Sequence, residues 1–351
     1  MYTRFTDNDV VTRQAQELVT STWSENLNNL ITAYTSSTQA SFLTPTSSGQ
    51  FYINVYNKAT SDSTAEIQYS VAYGHKAGSG SNDFTNDTGS FGLSAARVIY
   101  NQYRQLHFND DTKFFTFGSD DAKPDDIYVI NINRARYKQK LTKGSLNLHI
   151  SGTTHGLTNK VIHLTDDSVT NPAGAGSSNL GTYYNVVSGT NGTVLAGTTA
   201  TTQVGASASY GNFYPEAGLI ILNCDAFKKG TSLHPATNTG GPSTNNDKNQ
   251  QRIHHHISAA KHFIVDSTEE INSQFYFCRV RNDQYNYTNN ESFVDNSKNI
   301  RFETMKLNPK VFITTLGLYN DSFELMGVAK LSQPVAKDFT KEALVRVKLD
   351  Y

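Results

Sequence analysis

Apolar and polar residues alternate with a period of two along most of the chain, which is the pattern of half-buried β-strands. Clear cases are FYINVYN from residue 51, AEIQYSVAY from residue 65 and ALVRVKLDY at residues 343–351. Residues 127–132, IYVINI, form an unbroken β-favouring run. Two hairpins are predicted in the last third, with turns at Asn282–Asp283 and Asn320–Ser322.

Helical spacing of apolar residues occurs in three places. SAARVIYNQYRQLHF, from residue 94, predicts one amphipathic helix. Residues 249–264 predict another, with Ile253, Ile257, Ala260 and Ile264 on its core face. Residues 8–34 also have a broadly helical pattern, as one helix or two short ones. Because this first segment cannot bury much apolar surface by itself, residues 1–50 are interpreted as a helical docking arm with a polar linker.

The composition agrees with a chain made mainly of strands and polar loops. Hydrophobic residues make up 37% and charged residues 17% of the 351 residues, and both fractions are low. The predicted fold is therefore mainly β with a few helices (α+β), built from antiparallel sheets in a β-sandwich-like body. That body covers residues 51–351 and includes a loop-rich Gly/Ser/Thr/Asn insertion at about 150–250.

Charge, apolar runs and cysteines exclude several classes of partner. The net charge of −1 gives no overall field that would attract nucleic acid or an anionic membrane. No window is as apolar as a membrane span, and the N-terminal MYTRFTDNDVV has no secretory signal pattern, so we expect synthesis in the cytoplasm. Cys224 and Cys278 each lie in an apolar stretch and are interpreted as buried small hydrophobic residues.

Four histidines near residue 255 raise the question of a metal site. His254, His255 and His256 are adjacent, and His262 follows in QQRIHHHISAAKHFI. Adjacent residues on a helix face different directions, and residues 255 and 262 are almost two turns apart, so no metal or cofactor is predicted. A polar helix face is the favoured interpretation, and a pH-sensitive contact remains an alternative.

Four cations alternate with other residues directly after the IYVINI run. In an extended strand, Arg134, Arg136, Lys138 and Lys140 would all point to one side. This ladder is a candidate partner interface. The alternative is a solvated strand face whose charges prevent edge-to-edge association.

No nucleophile elbow, phosphate-binding loop or dinucleotide motif is present. We therefore predict a protein that is not an enzyme, with no catalytic residues.

Three stretches carry a family resemblance: DDIYVININRARYKQKL, YGNFYPEAGLIILN, and the last 44 residues from NPKVFITTLGLYNDSF to the C-terminus. Together they resemble virion structural proteins of contractile-tailed bacteriophages, especially the T4-like phages of marine cyanobacteria. TSTWSENLNNLITAYTSSTQ and SVAYGHKAGSGS are similar to the same group.

The resemblance implies a non-enzymatic building block of the virion, assembled in the host cytoplasm in multiple copies. The expected position is the tail baseplate, as a wedge-type component that joins other phage tail proteins. A fibre-attachment or receptor- and glycan-binding tail protein is the alternative, and a head decoration protein is a weaker one. No catalytic or cofactor residues are carried over from the resemblance.

Overall fold

The computed structural model describes residues 3–35, 52–78, 95–118, 123–154, 157–195, 209–227 and 249–350. The chain forms two compact units. We call residues 18–269 the large unit, and residues 1–17 together with 270–351 the terminal unit. The boundaries fall within two strands, β1 (Val10–Ser21) and β14 (Asp266–Val280).

The large unit is built on one antiparallel sheet. The strands that lie entirely within this unit are β2 (Tyr52–Tyr56), β3 (Ile67–His75), β4 (Asp126–Ile132), β5 (Lys140–Leu141), β6 (Asn147–Thr154), β7 (Leu157–Asp166), β8 (Gly176–Ser178), β9 (Gly181–Thr190), β10 (Thr193–Val194), β11 (Gly211–Tyr214), β12 (Leu219–Asn223) and β13 (Phe263–Ile264). All of them except β5 belong to the sheet. The sheet order is β13-β6-β7-β9-β11-β12-β4-β3-β2, with β8 and β10 paired to β9. β5 pairs instead with the first residues of β14.

The central strands supply two cores, one on each face of this sheet. In β4, Tyr128 and Ile130 belong to one core, while Ile127 and Val129 belong to the other. Successive side chains of a strand point to opposite faces, so a strand buried on both sides is apolar without alternation. The unbroken IYVINI run is explained by this position.

A helix covers each face. Helix α1 (Ala95–Phe108) packs on β3 and supplies Ile99 and Tyr103 to one core. Helix α2 (Asn249–Ala260) supplies Ile253 and Ile257 to the other core. The predicted helix at 95–108 is confirmed, and the second is confirmed as far as Ala260, whereas Ile264, expected on its core face, lies in β13. The mainly-β antiparallel class is also confirmed.

Helix α1 approaches β3 closely at Gly74. A Cβ atom at this position would lie 2.8 Å from the backbone nitrogen of Tyr100. The missing side chain therefore sets the distance at which α1 packs.

The segment after β1 is anchored to the large unit by Trp23. Its ring is buried and lies 4.9 Å from the Phe263 ring, and its Nε1–H donates to the Phe263 carbonyl oxygen over 2.7 Å. The backbone N–H of Leu30 donates to the same oxygen. A residue of the predicted docking arm is thus part of the chain's own core.

The terminal unit holds a second, smaller sheet system. β1, β14 and β17 (Ala343–Asp350) are neighbours in that order, and β15 (Val311–Tyr319) forms a two-stranded sheet with β16 (Leu325–Lys337). A one-turn helix, α3 (Thr304–Leu307), precedes β15. Only Leu318, Val345 and Val347 form the buried centre of its described core, so this unit has little internal apolar burial.

The hairpin turning at Asn320–Ser322 is confirmed, and so is the alternation from Ala343 to Val347. Leu349 is exposed, and Tyr351 lies outside the described residues. The hairpin predicted at Asn282–Asp283 is wrong, because no strand follows β14 until β15. The buried ammonium group of Lys337 instead holds this segment by donating to Asn282 O and Asn286 Oδ1, at 2.9 and 2.6 Å.

The predicted helix over residues 8–34 is also wrong. Val10–Ser21 is a strand next to β14, and residues 24–26 form a single 3₁₀ turn. The segment is rich in β-branched residues, and pairing with a neighbouring strand satisfies its backbone at a lower conformational cost than a helix. Its apolar residues Val11, Leu18 and Val19 are exposed instead of forming one helical face.

The domain organisation also differs from the predicted division at residue 50. The compact units divide at residues 17/18 and 269/270. The insertion predicted to be loop-rich at 150–250 contains strands β7 to β12, which are integral to the large sheet. Residues 36–51, 196–208 and 228–248, which include most of the predicted linker and long loops, lie outside the described residues.

We expect Trp23→Ala to destabilise the large unit by about 3–5 kcal/mol, because it leaves a cavity and removes one of the two hydrogen bonds to the Phe263 carbonyl oxygen. The loss is measured by unfolding in urea. Circular dichroism is the probe, because Trp23 is the single tryptophan and the variant has no tryptophan fluorescence to follow. Leu27→Ala, at an exposed position of the same segment, should cost less than about 0.5 kcal/mol. Equal losses in both variants would contradict the anchoring role.

Deletion of residues 343–351 should abolish cooperative folding of the terminal unit. β17 pairs with β14 from Ser273 to Val280 and supplies Val345 and Val347 to a core that has few other members. Differential scanning calorimetry of the full and shortened chains tests this. A soluble shortened chain with every transition of the full chain would contradict it.

Candidate functional site

A polar hollow of about 430 Å³ lies on the large sheet, next to the end of β4. Its floor is a row of register partners across three strands: Asn54 of β2, Ser70 of β3 and Asn131 of β4. Register partners in neighbouring antiparallel strands project from the same face, so the row presents amide and hydroxyl groups together. Ile67, Ile132 and Ala217 complete the apolar part of the lining.

A tight turn places an arginine at the rim of the hollow. Residues 134–136 form one 3₁₀ turn, which the Asn133 side chain caps by accepting from the backbone N–H of Ala135 over 2.9 Å. Asn133 and Arg134 both line the hollow. The capping preference of asparagine therefore ends β4 and directs the chain away from the sheet at this point.

Tyr137 holds the Arg134 guanidinium in place. The guanidinium carbon lies 4.7 Å from the centre of the Tyr137 ring, and Nη1 donates to the Tyr137 carbonyl oxygen over 2.6 Å. Burial raises the pKa of the Tyr137 hydroxyl, with Arg134 acting in the opposite direction. The ring lies against Gly218, where φ is +65° and a Cβ atom would lie 2.6 Å from Cε1 of Tyr137.

The predicted cation ladder does not exist as a strand face. The 3₁₀ turn at 134–136 interrupts the extended geometry, so the four cations have different environments. Arg136 forms an ion pair of 2.6 Å with Glu66, whose pKa is lowered by a hydrogen bond from Ser24 and then by Arg136. Lys138 is exposed, and Lys140 lies in β5. Of the four, Arg134 is the one that lines the hollow.

The lining of the hollow consists mainly of groups that can form hydrogen bonds. Among the described residues that line it, Arg134 is the one charged side chain, and none is a carboxylate, histidine or cysteine. Amides and a hydroxyl can each donate and accept hydrogen bonds, while a fixed guanidinium favours an anionic group.

The three adjacent histidines of α2 have three different environments. His255 is exposed, as a polar helix face predicts. Nε2 of His254 lies 3.2 Å from the Ala33 carbonyl oxygen, and Nδ1 of buried His256 hydrogen-bonds the Ser151 carbonyl oxygen. The polar-face interpretation thus holds for one residue, and the other two fasten the helix to its neighbours.

His262 belongs to a different cluster, which we call the histidine ladder: His149, His163 and His262. His149 of β6 and His163 of β7 are register partners, and the backbone N–H of His149 donates to the His262 carbonyl oxygen. The His149 ring is stacked between the other two, with a centroid separation of 3.9 Å on each side. Asn29 and Asn147 contact the two nitrogens of the His262 ring at 3.1 and 3.0 Å.

The ladder lowers the pKa of two of its histidines, His149 and His262. Burial, followed by repulsion from His163 and His262, lowers the pKa of His149 to about 4. Burial and His163 also lower the pKa of His262. The alternative of a pH-sensitive contact therefore has a geometric basis at His262, whose ring lies in the ladder. The three histidines of α2 do not share one contact of this kind.

Sequence reasoning missed both the hollow and the ladder. A detectable signal did exist for the ladder, since His149 and His163 lie in consecutive alternating segments joined by a short connection. Their pairing requires the register, which a single apolar pattern does not give. The hollow has no sequence signal, because its residues come from four separate segments.

Within the described residues, no group of three or more histidine, cysteine or acidic side chains is arranged to hold a metal ion. None of the helices in that part of the chain is long and apolar enough to cross a membrane.

Comparison with known proteins gives no match: no family model, no curated protein and no solved structure is similar to this chain.

We expect acid to destabilise the large unit through the ladder. Folding lowers the pKa of His149 from an ordinary 6.5 to about 4, so below pH 6.5 the unfolded chain binds more protons. The contribution to stability is complete above pH 6.5 and is lost as the pH falls towards 4. His149→Gln should weaken this dependence, as measured by urea midpoints between pH 7 and 4.5.

The control for this experiment is His255→Gln, which removes an exposed histidine outside the ladder and should change the pH dependence less than His149→Gln does. His107 keeps a similar effect in every variant, because burial lowers its pKa to about 4. Identical pH profiles for His149→Gln and the wild type would contradict the role of the ladder.

Proposed function

We propose that this chain is a non-enzymatic structural subunit of a phage virion, in the tail baseplate, where it joins other tail proteins. The observation that carries the proposal is the apolar surface of the β15–β16 hairpin. Exposed large apolar side chains cover this hairpin and its turn: Phe312, Tyr319, Phe323, Leu325, Met326, Val328 and Val335.

Such a hairpin needs a partner for physical reasons. A two-stranded sheet is marginally stable in water unless one of its faces is covered. One face packs Leu316, Leu318 and Ala329 into the small core of the terminal unit. Met326 and Val328 are 70% and 61% exposed, and a concentration of exposed apolar side chains is typical of protein–protein contacts.

A neighbouring subunit is a better occupant than a membrane or a nucleic acid. The net charge is −1, and β16 carries the charge of Lys330 beside its apolar residues. Flexible methionine and flat aromatic side chains adapt to a shaped protein surface. The resemblance of the last 44 residues, which include this hairpin, to phage virion proteins supports the same conclusion.

The location is tested by quantitative peptide mass spectrometry on purified particles, with tails separated from heads. Baseplate assembly predicts enrichment in the tail fraction. Hundreds of copies in the head fraction would favour a decoration protein, and absence from both fractions would overturn the proposal.

Val328→Glu should reduce incorporation into tails by about tenfold or more, because it places an unpaired charge in a desolvated contact. The matched control is Leu195→Glu, since Leu195 is an apolar residue of the large unit with a similar exposure of 58%. Both variants should remain folded because neither side chain is buried. Equal incorporation of the two variants would contradict a docking role for the hairpin.

The polar hollow favours the second candidate function, recognition of a glycan by a tail protein. This function uses different residues from the hairpin, so one chain can combine the two roles.

A further inference from the structure

We propose that the polar hollow is a binding site for a saccharide that carries a carboxylate group. This inference goes beyond assembly, since it concerns a ligand of the large unit. The volume of about 430 Å³ lies within the range of small-molecule sites and accommodates one or two sugar rings.

The floor of the hollow matches the hydroxyl groups of a sugar. Asn54, Ser70 and Asn131 lie side by side on strands that are spaced about 4.8 Å apart. The Ser70 hydroxyl and the Asn131 amide can each donate and accept hydrogen bonds. A ring with several hydroxyl groups can pair with these two groups, whereas an apolar ligand would remove them from water without replacing their hydrogen bonds.

The charge of the lining selects for a single negative group. Arg134 contributes one positive charge, and no described lining residue opposes it with a carboxylate. A planar guanidinium binds a carboxylate through two parallel hydrogen bonds. Phosphate sites usually add further cations or a helix N-terminus, and the described lining contains neither.

Arg134 is fixed before any ligand arrives. The Tyr137 ring and carbonyl oxygen restrain its guanidinium, and the turn that carries it is capped by Asn133. A restrained side chain loses less conformational entropy on binding, which favours affinity for a small ligand. Arg136, two residues further on, is engaged by Glu66 and Ser24 and does not line the hollow.

The test uses the full chain on an immobilised array of neutral oligosaccharides and their uronic-acid and sialic-acid counterparts. We expect binding to carboxylated members over the matching neutral ones. Arg134→Met should lower that affinity about tenfold or more, because a charge-assisted pair is lost. Asn131→Asp keeps the shape of the floor but should repel the ligand carboxylate to a similar degree.

Lys138→Met is the matched control, since it removes an exposed cation that does not line the hollow, and its affinity should stay within about twofold of wild type. Melting curves show whether each variant is folded. If Asn131→Asp does not fold, the affinity of Arg134→Met decides the test by itself. Absence of binding across the array, retained binding in Arg134→Met, or displacement by inorganic phosphate more readily than by galacturonate would overturn the proposal. We expect Arg134→Met to be incorporated into tails normally. That result would show that the loss of saccharide binding is independent of the assembly role.

Discussion

The large unit depends on burying both faces of its central strands at once. In β4 and β12, neighbouring residues belong to opposite cores: Ile130 and Leu222 to one, Val129 and Ile221 to the other. Each core is closed by one helix, so the sheet, α1 and α2 form a three-layered arrangement. Trp23 belongs to the α2-side core and ties the segment after β1 to β13 at the edge of the sheet.

The terminal unit follows a different physical regime. Its described core has three buried members, and much of the apolar surface of its hairpin remains exposed. Strand pairing, more than apolar burial, therefore holds the terminal unit together. Residues Ser273 to Val280 of β14 all pair with β17. A ligand or partner that covered this exposed apolar surface would stabilise the unit, because binding to the folded state raises its stability.

The hollow and the histidine ladder both arise from rows of side chains across antiparallel strands. Each row brings together residues that are far apart in sequence: Asn54 and Asn131, which both pair with Ser70, and His149 and His262, whose rings stack. The hollow stays polar because the turn after β4 ends the apolar run beside it. The pKa of the central imidazole, His149, is lowered because this half-buried ring cannot gain a proton between two others without repulsion.

The sequence by itself determined the mainly-β class, the helices at 95–108 and 249–260, and the last hairpin and strand, because each has a local period or turn signal. Tertiary structure decided the rest. Val10–Ser21 became a strand because β14 offers it a partner, and Arg134 left the expected strand because Asn133 caps a turn. The polar row and the histidine ladder depend on strand register, which is set by the packing of distant segments and has no counterpart in any single stretch of sequence.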